Sequence, residues 1–104
     1  MNCKDKLLKT IEDIKICLNQ QKSVLQKKFR VKRFGIFGSY ARREQTLSSD
    51  IDILVDYEEL PNLLELIELE YYLEEILHLK IDLVTRNGIK PQLRDSILSE
   101  MVYV

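Results

Sequence analysis

The sequence predicts an α/β (α+β) domain, a short mixed β-sheet with helices packed on it. Three observations carry that prediction. Short apolar runs rich in β-branched residues alternate with longer stretches of helical periodicity. Turn residues separate them, without a linker or an internal repeat. The 104 residues suffice for one modest core and not for two, so residues 1–104 are read as a single domain.

The elements come in order along the chain. From about Lys4 to Lys27, Leu7, Ile11, Ile14, Leu18 and Leu25 recur at steps of three, four and seven, one stripe along a helix. "VKRFGIFG" then has the length and the β-branched and aromatic content of a strand ending at Gly38. "SYARREQT" has room for about two helical turns before the Ser-rich "LSS" loop, and "DIDILVDY" is the second strand. Pro61 opens a helix that runs to about Leu79, because its missing N–H is harmless in a first turn. "KIDLVT" is a third strand, stopped by Asn87-Gly88, and "KPQLRDSILSEMV" supplies Leu93, Ile97, Leu98 and Met101 for a last helix.

An apolar share of 45% with 32% charged residues is ordinary for a soluble protein. No apolar leader and no run long enough to span a bilayer are seen, so a cytoplasmic protein without membrane contact is expected. Cys3 and Cys17 form no metal-ligand spacing and suggest no disulfide framework, and are read as reduced thiols. The net charge of −1 conceals an asymmetry: residues 1–34 hold ten Lys/Arg against three acids, and residues 44–82 hold twelve acids against Lys80 alone. A basic end could meet phosphates or an acidic partner, or could be a solvated helix face.

The chemistry is in the second strand. Asp50 and Asp52 interrupt a run, Ile51, Ile53, Leu54 and Val55, that otherwise reads as buried. Strand alternation points both carboxylates the same way, with α-carbons about 6.5–7 Å apart. With tips about 5 Å apart, their repulsion costs on the order of 3 kcal/mol at an effective dielectric near 20. A divalent cation reverses that sign, since oxygen ligands are what Mg²⁺ prefers, and two metals sharing a carboxylate serve in-line phosphoryl and nucleotidyl transfer. Asp82 breaks "KIDLVT" in the same manner and would join the pair if the two strands are neighbours. Asp56, in phase with them, is expected in water at the strand end. Eleven residues before Asp50, Ser39 comes after Gly38 in a turn whose N–H groups could grip a polyphosphate, with Ser39 capping a helix or bonding a phosphate oxygen.

"GSYARREQTLSSDIDILVDY" resembles the Gly-Ser…Asp-x-Asp signature of the polymerase-beta-like nucleotidyltransferases, and the ending "KIDLVTRNGIKPQLRDSILSEMVYV" is similar to the minimal nucleotidyltransferase (MNT) subgroup. The resemblance runs from Phe34 to Val104 and implies that fold. It implies that Gly38 and Ser39 contact the triphosphate; Arg42 and Arg43, in the same stretch, could reach phosphates as well. Asp50 and Asp52 would coordinate two Mg²⁺ ions, and Asp82 would complete the second metal site and help deprotonate the attacking hydroxyl. Minimal members resemble the antitoxin halves of modules whose toxin is a HEPN-domain ribonuclease. In that setting the implied reaction is AMP transfer from ATP to a tyrosine of the toxin (AMPylation), the alternative being a catalytically silent antitoxin that neutralises by binding alone. A small-molecule acceptor fits less well, because the chain has no room for a second domain to hold it; nucleic-acid polymerisation fails on the same ground, and direct nucleic-acid binding is not expected. A homo-oligomer is compatible with all of this. One departure stands out: Arg43 occupies a place where the family often has Gly, and a left-handed backbone there would cost about 1–2 kcal/mol.

Outside this signature, His78 reads as a surface or capping residue, and Tyr71 and Tyr72 as packing or interface residues. The helix after Pro61 carries more apolar residues than one buried stripe needs, with Leu63, Leu64, Leu69 and Tyr72 spread around it, which suggests a partner.

Overall fold

The computed structural model describes residues 10–46, 48–59 and 61–104. The predicted first helix is two helices, α1 (Ile11–Gln20) and α2 (Lys22–Phe29), because Gln21 leaves helical geometry at φ −100°, ψ 6°. The apolar stripe survives the break: Ile14, Leu18 and Leu25 are all fully buried. The start of that stripe, before residue 10, lies outside the described residues. Thr10 caps α1 in a reciprocal box with Asp13, each side chain taking the other's backbone N–H.

The sheet has four strands in the order β3-β2-β1-β4. β1 (Val31–Phe37) and β2 (Ile51–Tyr57) are antiparallel, while β2 and β3 (Ile81–Thr85) are parallel and linked by α3 (Leu63–Leu77). A bulge between Val31 and Arg33 shifts the register of β1. It explains why Val31 and Phe34, three apart, are both buried. After β3 a 3-10 turn (Arg86–Gly88) leads into α4 (Pro91–Glu100), which begins with Pro at its first turn, and the two-residue β4 (Val102–Tyr103) returns to pair with β1.

Several sequence expectations need correction here. The helix after Pro61 starts later: Asn62 is its cap, boxed with Glu65, and Pro61 precedes the cap. It also ends earlier, at Leu77, where His78 takes the left-handed cap conformation at φ 55°, the capping role expected of it. Cys17, expected as a reduced thiol, is buried and disulfide-bonded, so the argument for a cytoplasmic location from free thiols falls away; Cys3 lies outside the described residues. β4 was not anticipated at all, since two residues show no periodicity.

The main core lies on the α1–α3 face of the sheet. Ile14 and Leu18 of α1, Ile36 of β1, Ile51 and Ile53 of β2, and Leu69, Leu73 and Leu77 of α3 close it completely from solvent. Tyr72 seals its rim, 5.1 Å from the Phe29 ring and donating to Gln21 Oε1 at 2.8 Å. On β2 the expected alternation holds for Ile51, Ile53 and Val55, so the odd positions anchor the strand and the even ones, Asp52 and Asp56, are left for chemistry or pairing. No helix among the described residues is long and apolar enough to cross a membrane.

Candidate active site

The site forms where β1 ends and β2 and β3 begin. Parallel pairing sets Asp52 directly beside Asp82, a strand spacing of about 4.8 Å away. This is the adjacency on which the three-acid reading depended. Asp50 lies one residue before β2 rather than within it, at the end of a loop tied by the Thr46 N–H to Ser49 Oγ (2.8 Å) and the Ser49 N–H to the Thr46 carbonyl (3.1 Å).

Asp52 is the half-buried member, and its pKa is pushed up to about 6. Burial is the first cause; next come the charge of Asp82 and a hydrogen bond with it, then the charge of Asp50, with Arg42 pulling the other way. Glu70 of α3 also titrates high, through burial, Glu74 and then Asp82, so the acidic field around Asp82 extends to a carboxylate the sequence reading did not single out.

Gly38 closes the site from the β1 side, and two things demand glycine there. Its φ is +74°, and a Cβ would fall on Asp52 Oδ2, which the pairing of Phe37 with Asp52 brings across. The chain after Gly38 does not form the predicted two-turn helix. Residues 38–43 make a single turn, closed by the Glu44 N–H to the Ser39 carbonyl (2.9 Å) and the Arg43 N–H to the Tyr40 carbonyl (3.3 Å), with Arg43 left-handed at φ 59°. That is a Schellman closure, whose pivotal residue is usually Gly. There is thus no helix dipole behind Ser39, and any anion would be held by the turn's own donors. Arg43 reaches away from the acids to Glu12 of α1, at 2.8 and 2.6 Å.

Arg42 stays beside the acids. Its Nε donates to Glu44 at 2.8 Å and its Nη1 to both oxygens of Glu100 at 3.3 and 3.1 Å. Glu100 Oε1 also accepts the Gly38 N–H at 3.0 Å. Tyr40, within this turn, is buried, and its hydroxyl has no hydrogen-bond partner among the described residues; burial, then the charge of Asp50, raises its pKa. Glu100, Glu44 and Tyr40 were missed because their roles depend on where α4 and the turn fold.

Asp56 departs from its expected place in water. Only 13% of its side chain is exposed, and it accepts from Arg33 Nε (2.7 Å) and from Arg86 Nε (3.1 Å) and Nη2 (2.9 Å). It belongs to a structural clasp at the other end of β2.

Among the described residues no three His, Cys, Asp or Glu side chains converge closely enough to form a ready metal cage. The donor set nevertheless fits a hard cation. Asp52 and Asp82 are adjacent, Asp50 and Asp82 are exposed, and the crowding that raises Asp52 is what a divalent ion would relieve.

Residues 18–104 match the nucleotidyltransferase domain family, a span that holds Asp50, Asp52, Asp82 and the turn from Gly38 to Arg43. The chain belongs to that family, and is a nucleotidyltransferase. Protein adenylyltransferase MntA of Thermococcus cleftensis is 47% identical over 95 residues, covering 91% of this chain and 96% of that protein. A solved structure assigned to a minimal nucleotidyltransferase superposes with a TM-score of 0.70 at 33% identity, covering 86% of this chain and 93% of that one. A complex of a tri-AMPylated Shewanella oneidensis HEPN toxin with MNT antitoxin matches at a TM-score of 0.63, over 86% of this chain and 70% of that chain. At 21% identity that likeness is one of fold.

Proposed function

We propose that this nucleotidyltransferase is a Mg²⁺-dependent protein adenylyltransferase that acts as an antitoxin, moving AMP from ATP to a tyrosine hydroxyl of a HEPN-domain toxin. The observation that carries the chemistry is the parallel register that puts Asp52 beside Asp82, with Asp50 two residues away and the Gly38 turn against Asp52. The name of the 47% identical relative supports adenylyl transfer to protein, and the fold shared with the antitoxin of the AMPylated complex supports the acceptor.

In this reading Asp50, Asp52 and Asp82 would hold two Mg²⁺ ions, which when bound would neutralise the triphosphate. Gly38, lacking a side chain, would let the triphosphate approach the turn closely, and Ser39 and Arg42 would hold its β- and γ-phosphates. The acceptor oxygen attacks the α-phosphorus as the bond to the bridging oxygen breaks, pyrophosphate leaves, and Asp82 takes the hydroxyl proton. Positioning and charge complementarity carry most of the rate. Because the reaction consumes ATP, we place it in the cytoplasm. A second reading, an antitoxin that acts by binding alone, is favoured by the exposed apolar residues Leu63, Leu64 and Tyr71 of α3, a surface suited to a partner.

Transfer of labelled AMP from ATP to a HEPN partner decides between them. Asp50→Asn and Asp52→Asn should each lower transfer by about a thousandfold with circular dichroism unchanged. Full transfer in both variants would refute the catalytic roles. Toxin neutralisation that survives in variants without transfer would establish the binding-only reading.

A further inference from the structure

The turn that ends β1 is held by a residue 62 positions away. Glu100, the last residue of α4, accepts the Gly38 N–H at 3.0 Å through Oε1 and meets Arg42 Nη1 with both oxygens, at 3.3 and 3.1 Å. Its side chain is only 26% exposed, so this pair is better shielded from water than the Arg42–Glu44 contact on the other side of the guanidinium. The backbone around Glu100 is fixed. Met101 fills the space where a Gly35 side chain would stand, and Val102 and Tyr103 pair with Ile36 and Gly35, just before the turn.

A carboxylate that satisfies one backbone N–H and one guanidinium uses the donors that a phosphate oxygen would seek. The Arg42 Nε is already taken by Glu44 at 2.8 Å, and Nη1 cannot hold both oxygens of Glu100 and a phosphate at once. Resting on the nucleotidyltransferase reading above, we propose that Glu100 is a positioning residue for the nucleotide: it presets Gly38 and Arg42 before ATP arrives, and it competes with the incoming triphosphate for Arg42. On binding, Arg42 moves from Glu100 to a phosphate while Glu100 keeps the turn in place. Affinity for ATP is thereby set below what Arg42 alone would give.

Glu100→Gln separates this from simple scaffolding, because the amide oxygen still accepts the Gly38 N–H while the negative charge facing Arg42 is gone. Calorimetric titration with Mg·ATP should give a Kd about tenfold lower in Glu100→Gln than in wild type. In an Arg42→Ala background the same change should have no effect, since the coupling runs through that residue. A Kd equal or higher in Glu100→Gln, or a tenfold gain that persists without Arg42, overturns the proposal. Saturable binding by neither wild type nor Glu100→Gln overturns the nucleotide-binding reading itself, and this proposal with it. A readout that needs no variant is NMR of the wild-type protein during the titration. The Arg42 Nε and Glu100 carboxylate-carbon resonances should both move, and if they stay fixed while ATP saturates the protein the exchange does not occur.

Discussion

Arg43 shows how a residue with a side chain is accommodated at a left-handed position. The Schellman closure requires a left-handed residue, and Arg43 adopts φ 59° there at a conformational cost a glycine would not bear. In return it forms a two-pronged pair with Glu12, which holds the Glu12 carboxyl below its usual pKa but lies on the surface where solvent weakens it. Arg43→Gly should therefore raise Tm, by about 4 °C, whereas Glu12→Gln should move it by about a degree. Asp52 carries the opposite tension. Its folded pKa of about 6 lies above that of an unfolded carboxylate, so the folded state binds the extra proton between about pH 4 and 6. Its contribution to stability is fully present below that window and is lost as pH rises through it. Asp52→Asn should stabilise the metal-free protein at pH 7 by about 1 kcal/mol after allowance for solvent screening, and should flatten that part of the Tm–pH curve. Added Mg·ATP should raise the Tm of wild type and not of this variant.

Between elements, the clasp around Asp56 ties the sheet together at the end away from the acids. Asp56 on β2 receives Arg33 from β1 and Arg86 from the turn after β3; Arg86 also donates to the Tyr103 hydroxyl of β4 at 3.1 Å, and Arg33 lies 4.8 Å over the Tyr103 ring. The Arg86 hydrogen bonds are the first cause of the lowered pKa of Asp56, against burial and with help from Arg33. That stabilisation is present above the ordinary carboxylate range and is lost as pH falls through the depressed value, opposite in sign to Asp52. Asp56→Asn should cost about 2 kcal/mol at pH 7, near 10 °C in Tm, and the loss should shrink in acid. A cost that is the same at pH 3 would show that packing, not charge, holds the clasp.

Taken as one body, the protein turns unpaired apolar surface outward along α3. Leu63, Leu64 and Tyr71 are 73%, 63% and 66% exposed, although Leu69 and Tyr72, counted with them on sequence grounds, pack inward. Leu63→Lys with Leu64→Lys should change stability by less than about 0.5 kcal/mol and weaken association with the proposed toxin; unchanged association would place that interface elsewhere.

The fold class, three of the four strands and the three acids could be read from the chain because each rests on local periodicity. An aspartate that breaks an apolar strand is visible as a mismatch wherever the strand lies in the sheet. Gly38 and Ser39 were legible in another way, as a turn dipeptide at the end of one strand and eleven residues before the Asp-x-Asp strand. The rest depends on contacts between residues far apart in sequence. Asp56, expected in water at the strand end, became part of a clasp only when Arg33 and Arg86 arrived from two other elements, and Glu100 was an ordinary helix-end acid until β4 paired with β1 and carried it to Gly38. Periodicity records which side chains want burial, and only the packed sheet decides which charges meet.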